Sequence, residues 1–277
     1  MSPFLSVIIP TLNEEKYLPR LLKDLSNQTN KDFEVIVVDG NSEDKTAEIA
    51  LKFRNKCNER LITSDKRNLA YQRNLGVKQA KGSYVLFLDA DMRIKRDFIS
   101  KLIKNAKDHK YLAFIPLHIP ENAEYQDELL YKVMSFFVEM SHLTEKPFSY
   151  GPVAMFQRDY FNTLGGYDEN VFVYEDHEII QRGRKRGVHA KLLTKVPVYF
   201  SMRRFKKEGR VQVLSKYLIA AMQLLANGKV DKKVFTYEMG GSAKYLLAKK
   251  KRMGLADHVS KYFDKLKNIL EEEEKSS

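Results

Sequence analysis

The first half of the chain alternates short apolar runs with segments of helical periodicity. Apolar runs at residues 5–10, 33–39, 61–63 and 84–88 are typical of buried strands, and the first is predicted to stop at Pro10. Between them, residues 14–27 and 70–80 have the apolar spacing of helices, and Ser42 is a predicted N-cap. This order predicts an α/β fold with a mostly parallel sheet covered on both faces and right-handed crossovers.

The second half continues the alternation and then changes character. The pattern predicts helices at 98–107, 124–142 and 176–187 and strands at 112–116, 153–156 and 196–200. The apolar stripe of helix 124–142 is interpreted as core or as the wall of a groove. After residue 205 come Lys-rich helical stretches separated by Asn227-Gly228 and Gly240-Gly241. We therefore divide the chain into a domain of residues 1–205 and a helical extension of residues 206–277.

Composition narrows the class of protein. The chain has 277 residues, of which 43% are hydrophobic, and this is enough for one large domain with an extension. A single cysteine, Cys57, excludes an internal disulfide and fits a reducing, cytoplasmic compartment. The net charge of +12 fits an anionic membrane surface, a phosphate-bearing substrate or the charged surface of a thermophile's protein. Because no nucleic-acid-binding motif is present, we do not expect a nucleic-acid partner.

Targeting signals are not visible in the sequence. Residues 1–10 lack a basic region, and the longest apolar segment of the C-terminal half, residues 217–226, is too short to span a bilayer. The basic clusters at 232–233 and 249–252 suggest peripheral docking on the inner face of the cell membrane, near a lipid-linked acceptor. Packing of these helices on the first domain, or in a homodimer, remains an open alternative.

Two carboxylates close the apolar run 84–88. Asp89 and Asp91 would stand at the carboxyl end of a buried strand, where open α/β sheets bind their ligands. Side by side they need a cation to stay ionised, and a hard divalent metal that also holds a phosphate is the natural partner. The alternative for this pair is a solvated acidic turn.

Polar loops follow the first two strands. Residues 10–15 and 39–46 are expected along the same sheet edge as Asp89, with Asp39 placed to accept hydrogen bonds from a base or ribose. Gly40 lets the backbone approach a ligand closely. Arg73 is on the predicted helix before the strand that ends at Asp89. It could reach a nucleotide, or it could be a charge on the helix surface. The glycine-rich motifs of dinucleotide-binding and P-loop proteins are absent from the sequence.

Further charged residues lie downstream. Gly165 and Gly166 allow a sharp turn, and Glu175 with Asp176 opens a helix, either as a cap or with a carboxylate as general base. Arg203 and Arg204 follow the last strand and suit bidentate phosphate binding or form a solvated basic loop.

Taken in order, these motifs resemble the family 2 glycosyltransferases, which have the GT-A fold. The resemblance covers about residues 4–205 and rests on segments 7–15, 38–46, 73–76, 87–91 and 165–169 together with Glu175-Asp176. It implies an inverting, metal-dependent enzyme that moves a sugar from a nucleotide-diphospho sugar to a glycan or lipid-linked acceptor. Several motifs in the right order are far more specific than any one of them.

The resemblance also implies roles for individual residues. Asp176, beside Glu175, would deprotonate the acceptor hydroxyl, and Asp91 with Asp89 would bind Mn²⁺ or Mg²⁺. The donor would be bound by Pro10, Thr11, Asn13, Glu14, Asp39, Asn41, Arg73, Asp89, Arg203 and Arg204. His177 is either a metal ligand or a hydrogen-bonding residue of the helix face. Ser201 stands where processive members have glutamine, which argues against a polymerising synthase.

Two alternative functions are also considered. A sugar-1-phosphate nucleotidyltransferase has a related sheet, but it would need a glycine-rich first loop with a basic residue, which residues 10–13 do not provide. A non-catalytic protein that binds nucleotide sugars or a membrane surface is the alternative from another class. The presence of Asp89, Asp91 and Asp176 together argues against it.

Overall fold

The computed structural model describes residues 2–54, 56–171, 174–203 and 205, without the side chains of Gln126, Leu129 and Leu130. Arg204 and the predicted extension 206–277, with its proposed membrane contact, lie outside the described residues. Within them, no helix combines the length and the apolar character that crossing a membrane requires.

Eight strands and seven helices make up the described part of the chain. The strands are β1 (Leu5–Thr11), β2 (Phe33–Asp39), β3 (Glu59–Thr63), β4 (Tyr84–Phe87), β5 (Arg93–Ile94), β6 (Ala113–Glu121), β7 (Met155–Gln157) and β8 (Lys191–Ser201). The helices are α1 (Leu18–Ser26), α2 (Thr46–Phe53), α3 (Leu69–Lys78), α4 (Phe98–Asp108), α5 (Tyr125–Ser141), α6 (Arg158–Leu164) and α7 (Glu175–Lys185).

The strands form one sheet in the order β3-β2-β1-β4-β7-β6-β8-β5. Strands β3, β2, β1 and β4 are parallel, as the alternating sequence pattern predicts. The direction reverses at β7, which is antiparallel to both β4 and β6. Strand β8 then runs parallel to β6, and β5 runs antiparallel to β8. The parallel half places the ends of β1, β2 and β4 along one edge.

Helices cover both faces of the sheet, as predicted. One core packs Val7 and Ile9 of β1 against the apolar faces of α1 and α4. The other packs Ile8 of the same strand against α3, α6 and α7. Neighbouring residues of a strand point to opposite faces, so one short apolar run supplies both cores.

Pro10 does not end the first strand, which continues to Thr11. The backbone groups of alternate residues in β1 face the same neighbour, and the carbonyl of Ile8 accepts from Leu88 on the β4 side. The backbone nitrogen of Pro10 therefore also faces β4. The pairing of β1 with β4 ends at Ile8, so Pro10 lies beyond the last paired residue of β4. The missing N–H of proline leaves no ladder hydrogen bond unmade there.

Other local features also differ from the sequence prediction. Helix α2 begins at Thr46, with Lys45 as its N-cap, because the side chain of Ser42 is engaged with Asp39 instead. The short elements β5 and α6 were not predicted. Both are too short to show periodicity, and β5 is fixed by tertiary contacts, among them two hydrogen bonds from Arg93 to the carboxylate of Asp24.

Helix α3 lies unusually close to the sheet at Gly76. A Cβ atom at this position would come within 2.5 Å of Ile8 Cγ2 and 3.2 Å of Val38 Cγ2. We expect Gly76→Ala to lower the free energy of unfolding by about 1–3 kcal/mol, because overpacking outweighs the better helix propensity of alanine. Urea denaturation measures this loss. Lys78→Ala, on the exposed side of the same helix, is the control and should change stability by less than about 0.5 kcal/mol.

Candidate active site

The loops after β1 and β2 meet around the buried carboxylate of Asp39. Thr11 Oγ1 donates to Asp39 Oδ1 at 3.0 Å, and the backbone N–H of Ser42 donates to Asp39 Oδ2 at 2.9 Å. Ser42 Oγ donates to Asp39 Oδ1 at 2.5 Å. These contacts fix the direction of the carboxylate at the edge of the sheet where the sequence predicted nucleoside binding.

Two asparagines shape the same pair of loops. Asn13 and Asn41 adopt left-handed backbone conformations, with φ of 55° and 60°, which asparagine tolerates better than most residues. Asn13 Oδ1 accepts from the backbone N–H of Glu43 at 2.7 Å, and its own N–H donates to Ser42 Oγ at 2.8 Å. The two loops therefore form one hydrogen-bonded unit, with Asn41 exposed on it.

A fully buried arginine connects the end of β4 with the start of α7. Arg73 Nη2 donates to Asp89 Oδ1 at 2.9 Å, and Nη1 donates to Glu175 Oε1 at 2.5 Å. The guanidinium lies over the ring of Tyr167, 5.3 Å from its centre. Burial alone would lower the pKa of Arg73, but the two carboxylates more than offset this and hold the pKa above its usual value. Arg73 is therefore a permanent internal cation, not the surface charge that was its alternative interpretation.

The two carboxylates that open α7 are in different electrostatic states. Glu175 is neutralised by its ion pair with Arg73, although burial raises its pKa. Burial also raises the pKa of Asp176 to about 6, against the opposing pull of Arg73. The ring of His177 lies close to Asp176, with 3.6 Å between Asp176 Oδ2 and His177 Nδ1. Asp176 thus has a pKa near neutrality, which suits a general base.

His177 has a structural environment. Its Nδ1 accepts the backbone N–H of Ser149 at 3.1 Å, and its ring stacks on Tyr174 with centroids 4.4 Å apart. Burial lowers its pKa to about 3, so the ring is neutral. Among the described residues, no group of three or more metal-ligating side chains is found. His177 is therefore not part of such a group with the two aspartates that follow β4. The geometry matches the hydrogen-bonding interpretation of this residue.

A second arginine faces the other aspartate. Arg203 Nε lies 3.0 Å from Asp91 Oδ2, and its two terminal nitrogens each donate to Glu14 at 2.7 Å. Its guanidinium lies over the ring of Tyr17, 4.5 Å from the centre. Burial raises the pKa of Asp91 to about 6 and, as the largest cause, also raises the pKa of Glu14. Arg203 is therefore brought into the site, whereas its neighbour Arg204 lies outside the described residues.

The donor set of this edge suits a hard divalent cation. Asp89 and Glu14 both raise the pKa of Asp91 by charge repulsion, which a bound cation would relieve. Asp91 already holds the positively charged Arg203, and Asp89 keeps a side chain that is 30% exposed. Mg²⁺ is commonly coordinated by one or two carboxylates together with phosphate oxygens of the substrate. The residues present fit the metal that the sequence predicted.

Sequence reasoning missed Gln72, and it missed the positioning role of Asn74, although segment 73–76 was among its motifs. Gln72 Nε2 donates to the Thr11 carbonyl at 3.1 Å, and a Cβ on Gly40 would lie 2.3 Å from that nitrogen, so a larger residue there would displace the Gln72 amide. Asn74 accepts from the N–H of Tyr167 and donates to its carbonyl, each at 2.9 Å. The available signal was three consecutive polar residues, 72–74, on a helix that packs against the sheet.

The chain is similar in sequence to a known protein family and to several known proteins. The model of the family "Glycosyl transferase family 2" matches residues 6–165, more than half of the chain. The poly(ribitol-phosphate) beta-N-acetylglucosaminyltransferase TarS of Staphylococcus aureus is 39% identical over 108 residues, which are 38% of this chain and 19% of TarS. A PGL/p-HBAD biosynthesis glycosyltransferase of Mycobacterium bovis BCG is 32% identical over 181 residues, covering 63% of this chain and 67% of that protein.

Solved structures show the same fold. The mannosyltransferase PcManGT from Pyrobaculum calidifontis, in complex with GDP-Man and Mn²⁺, superposes with a TM-score of 0.67 at 20% identity, over 83% of this chain and 66% of that chain. TarS 1-349 in complex with UDP-GlcNAc gives a TM-score of 0.59 at 21% identity, over 84% of this chain and 78% of that chain.

The fold is therefore of the GT-A type, as predicted. The chain belongs to glycosyl transferase family 2. It spans only 19% of the length of TarS, so its own substrates are a separate question.

Removing Arg73 should have a large structural cost. Arg73→Met would leave Glu175 and Asp89 without their shared cation, and we expect the free energy of unfolding to fall by about 3–5 kcal/mol at pH 7.5. The loss should shrink toward pH 5, because burial raises the pKa of Glu175 and its protonation removes a charge that the substitution leaves without its cation. Urea denaturation at the two pH values measures both effects.

Arg67→Met is the matched control for this substitution. Its ion pair with Glu43 is exposed, with side chains 48% and 71% accessible. Breaking it should cost no more than about 1 kcal/mol at either pH. A stability loss for Arg73→Met as small as this would contradict the structural role assigned to the buried cation.

Proposed function

We propose that this chain transfers a sugar from a nucleotide-diphospho sugar to an acceptor hydroxyl and inverts the anomeric carbon. The observation that carries the proposal is the bridge from Asp89 through Arg73 to Glu175. It connects the sheet edge suited to a nucleotide with the helix that carries Asp176. Known relatives of this fold bind UDP-GlcNAc and GDP-Man in their complexes, which supports a donor of this chemical class.

The nucleoside side of the donor would lie against the unit formed by the first two loops. Asp39 is oriented by Thr11 and Ser42 and can accept hydrogen bonds from a base or ribose. The ribose and diphosphate would continue toward Asp89, whose side chain is partly accessible. Arg203, held by Glu14 and stacked on Tyr17, supplies a preorganised cation beside the diphosphate.

Asp91 and Asp89 would hold a divalent cation at the diphosphate. When bound, Mn²⁺ or Mg²⁺ would neutralise the negative charge that develops on the departing nucleoside diphosphate. Of this chain's own groups, Arg203 can stabilise the same charge through its guanidinium.

Asp176 would act as the base. Since burial raises its pKa to about 6, it is ionised at neutral pH and is still basic enough to take a proton. The acceptor oxygen would attack the anomeric carbon as Asp176 removes its proton, and the bond from that carbon to the diphosphate oxygen would break. A single displacement of this kind inverts the configuration. Glu175, paired with Arg73, would position the helix start and would not move a proton.

A nucleotide-binding panel tests the donor assignment. Thermal unfolding is followed with UDP, GDP, dTDP and CDP, each with and without Mn²⁺. We expect one nucleotide to raise the melting temperature, and Mn²⁺ to increase the shift, since a ligand of the native state stabilises by mass action. Asp91→Asn should abolish the metal-dependent part of the shift. Asp108→Asn, on the exposed end of α4, is the control and should keep it.

The outcomes of the panel separate the candidate functions. A folded protein that responds to none of the four nucleotides would remove the basis of the donor assignment. Binding with no turnover in any assay, unchanged by Asp91→Asn, would support the non-catalytic alternative.

The role of Asp176 is tested by turnover with water as acceptor, measured as release of nucleoside diphosphate from the donor. Asp176→Asn should lower kcat by about 10²–10⁴-fold while nucleotide binding is retained. For the native chain, the rate should fall as the pH drops below about 6, where Asp176 becomes protonated, and should level off above that pH. Glu178→Gln, on the same helix but paired with Arg182, is the control and should keep both the rate and the profile. A native pH profile in Asp176→Asn would exclude Asp176 as the base.

A further inference from the structure

Helix α5 presents a row of large apolar side chains to solvent. Val133, Phe136, Phe137, Met140 and Leu143 are 46%, 58%, 65%, 45% and 76% exposed. The first four lie on α5 at spacings of three and four residues, which places them on one face over about 10 Å of helix, and Leu143 follows two residues after the helix ends. We call these five residues the α5 apolar face. Contiguous exposed apolar surface of this kind marks an interaction site more often than bare solvent contact.

The chain leaves the described region against the same helix, on its packed side. Phe205 packs against Tyr131 of α5, with ring centroids 6.0 Å apart, and Tyr131 also contacts Phe200 at 4.9 Å. Tyr131 is two residues before Val133, and residues two apart on a helix lie on different sides. The segment that continues from Phe205 therefore starts at α5 and has to pass around the helix to reach the α5 apolar face.

That segment has the sequence of a partner helix. Within residues 211–226, apolar side chains recur at positions 211, 214, 218, 221, 222 and 225, which is one face of a helix. The opposite side carries Gln212, Lys216 and Gln223 together with the apolar Val213 and Ala220. As a helix these residues would be about 24 Å long, enough to cover the whole exposed row. The intervening residues 206–210 can span up to about 17 Å.

Charge favours this occupant over a lipid surface. Helix α5 carries Asp127, Glu128 and Glu139 against one basic residue, Lys132, so an anionic membrane would be repelled. Residues 206–216 carry Lys206, Lys207, Arg210 and Lys216 against Glu208 alone. A short tether also gives the segment an effective concentration in the millimolar range, above that of a second copy in dilute solution.

We propose that residues 211–226 of this chain dock as a helix on the α5 apolar face. The interaction is of the helix-in-groove type, with apolar anchors at helical spacing. It would attach the extension to the second half of the sheet domain.

Cysteine labelling of the full chain tests the proposal. The natural Cys57 is buried and burial raises its pKa to about 12, so it is a silent background for maleimide. Phe137→Cys should label about tenfold or more slowly than Glu48→Cys on the exposed side of α2, because the docked segment must open first. Protection should be independent of protein concentration.

Variants of the segment identify the occupant. Leu214→Glu with Leu218→Glu, on its apolar face, should restore fast labelling of Phe137→Cys, whereas Gln212→Glu with Gln223→Glu should not. Fast labelling in the native segment background would overturn the proposal. So would protection that grows with protein concentration, which indicates a second copy, or protection that appears only with phosphatidylglycerol vesicles, which indicates a membrane.

Discussion

The architecture of the site depends on one buried cation. Arg73 is fully enclosed, and its two terminal nitrogens pair with one carboxylate from the end of β4 and one from the start of α7, while Nε has no hydrogen-bond partner among the described residues. An uncompensated charge at such a depth would be severely destabilising, so each of the three groups requires the other two. Gly76 brings the same helix into direct contact with β1 and β2. The position of the arginine is therefore fixed by backbone packing as well as by its ion pairs.

This arrangement separates two acidic residues that are adjacent in sequence. Glu175 is paired with the cation, although burial raises its pKa, whereas Asp176 is left in a buried environment that raises its pKa to about 6. On the opposite side Arg203 occupies Glu14 and Asp91 in a similar way. Each arginine thus pairs with two carboxylates of the site, and Asp176 belongs to neither of these two groups.

The sequence predicted the sheet edge well, because the ends of parallel strands meet by geometry alone. Asp39, Asp89 and the first loop could be placed together from their strands without further information. The ion pairs between distant segments could not. Arg73 and Glu175 are 102 residues apart, and Arg203 and Glu14 are 189 apart. Their meeting depends on the reversal at β7 and on where α7 and β8 return, and neither is encoded in local periodicity. The same reason explains why Arg73 could be a surface charge on sequence grounds.

The reversal of strand direction at β7 divides the sheet into two halves with different partners. The parallel half supplies the loops suited to the nucleotide, and the mixed half leads to Arg203 and borders α5. Only a few residue pairs of β4 and β7 join them in the ladder. The ion pairs Arg73–Glu175 and Arg203–Glu14 join the two halves as well. A substitution at any one of these four residues would therefore disturb both halves of the sheet at once.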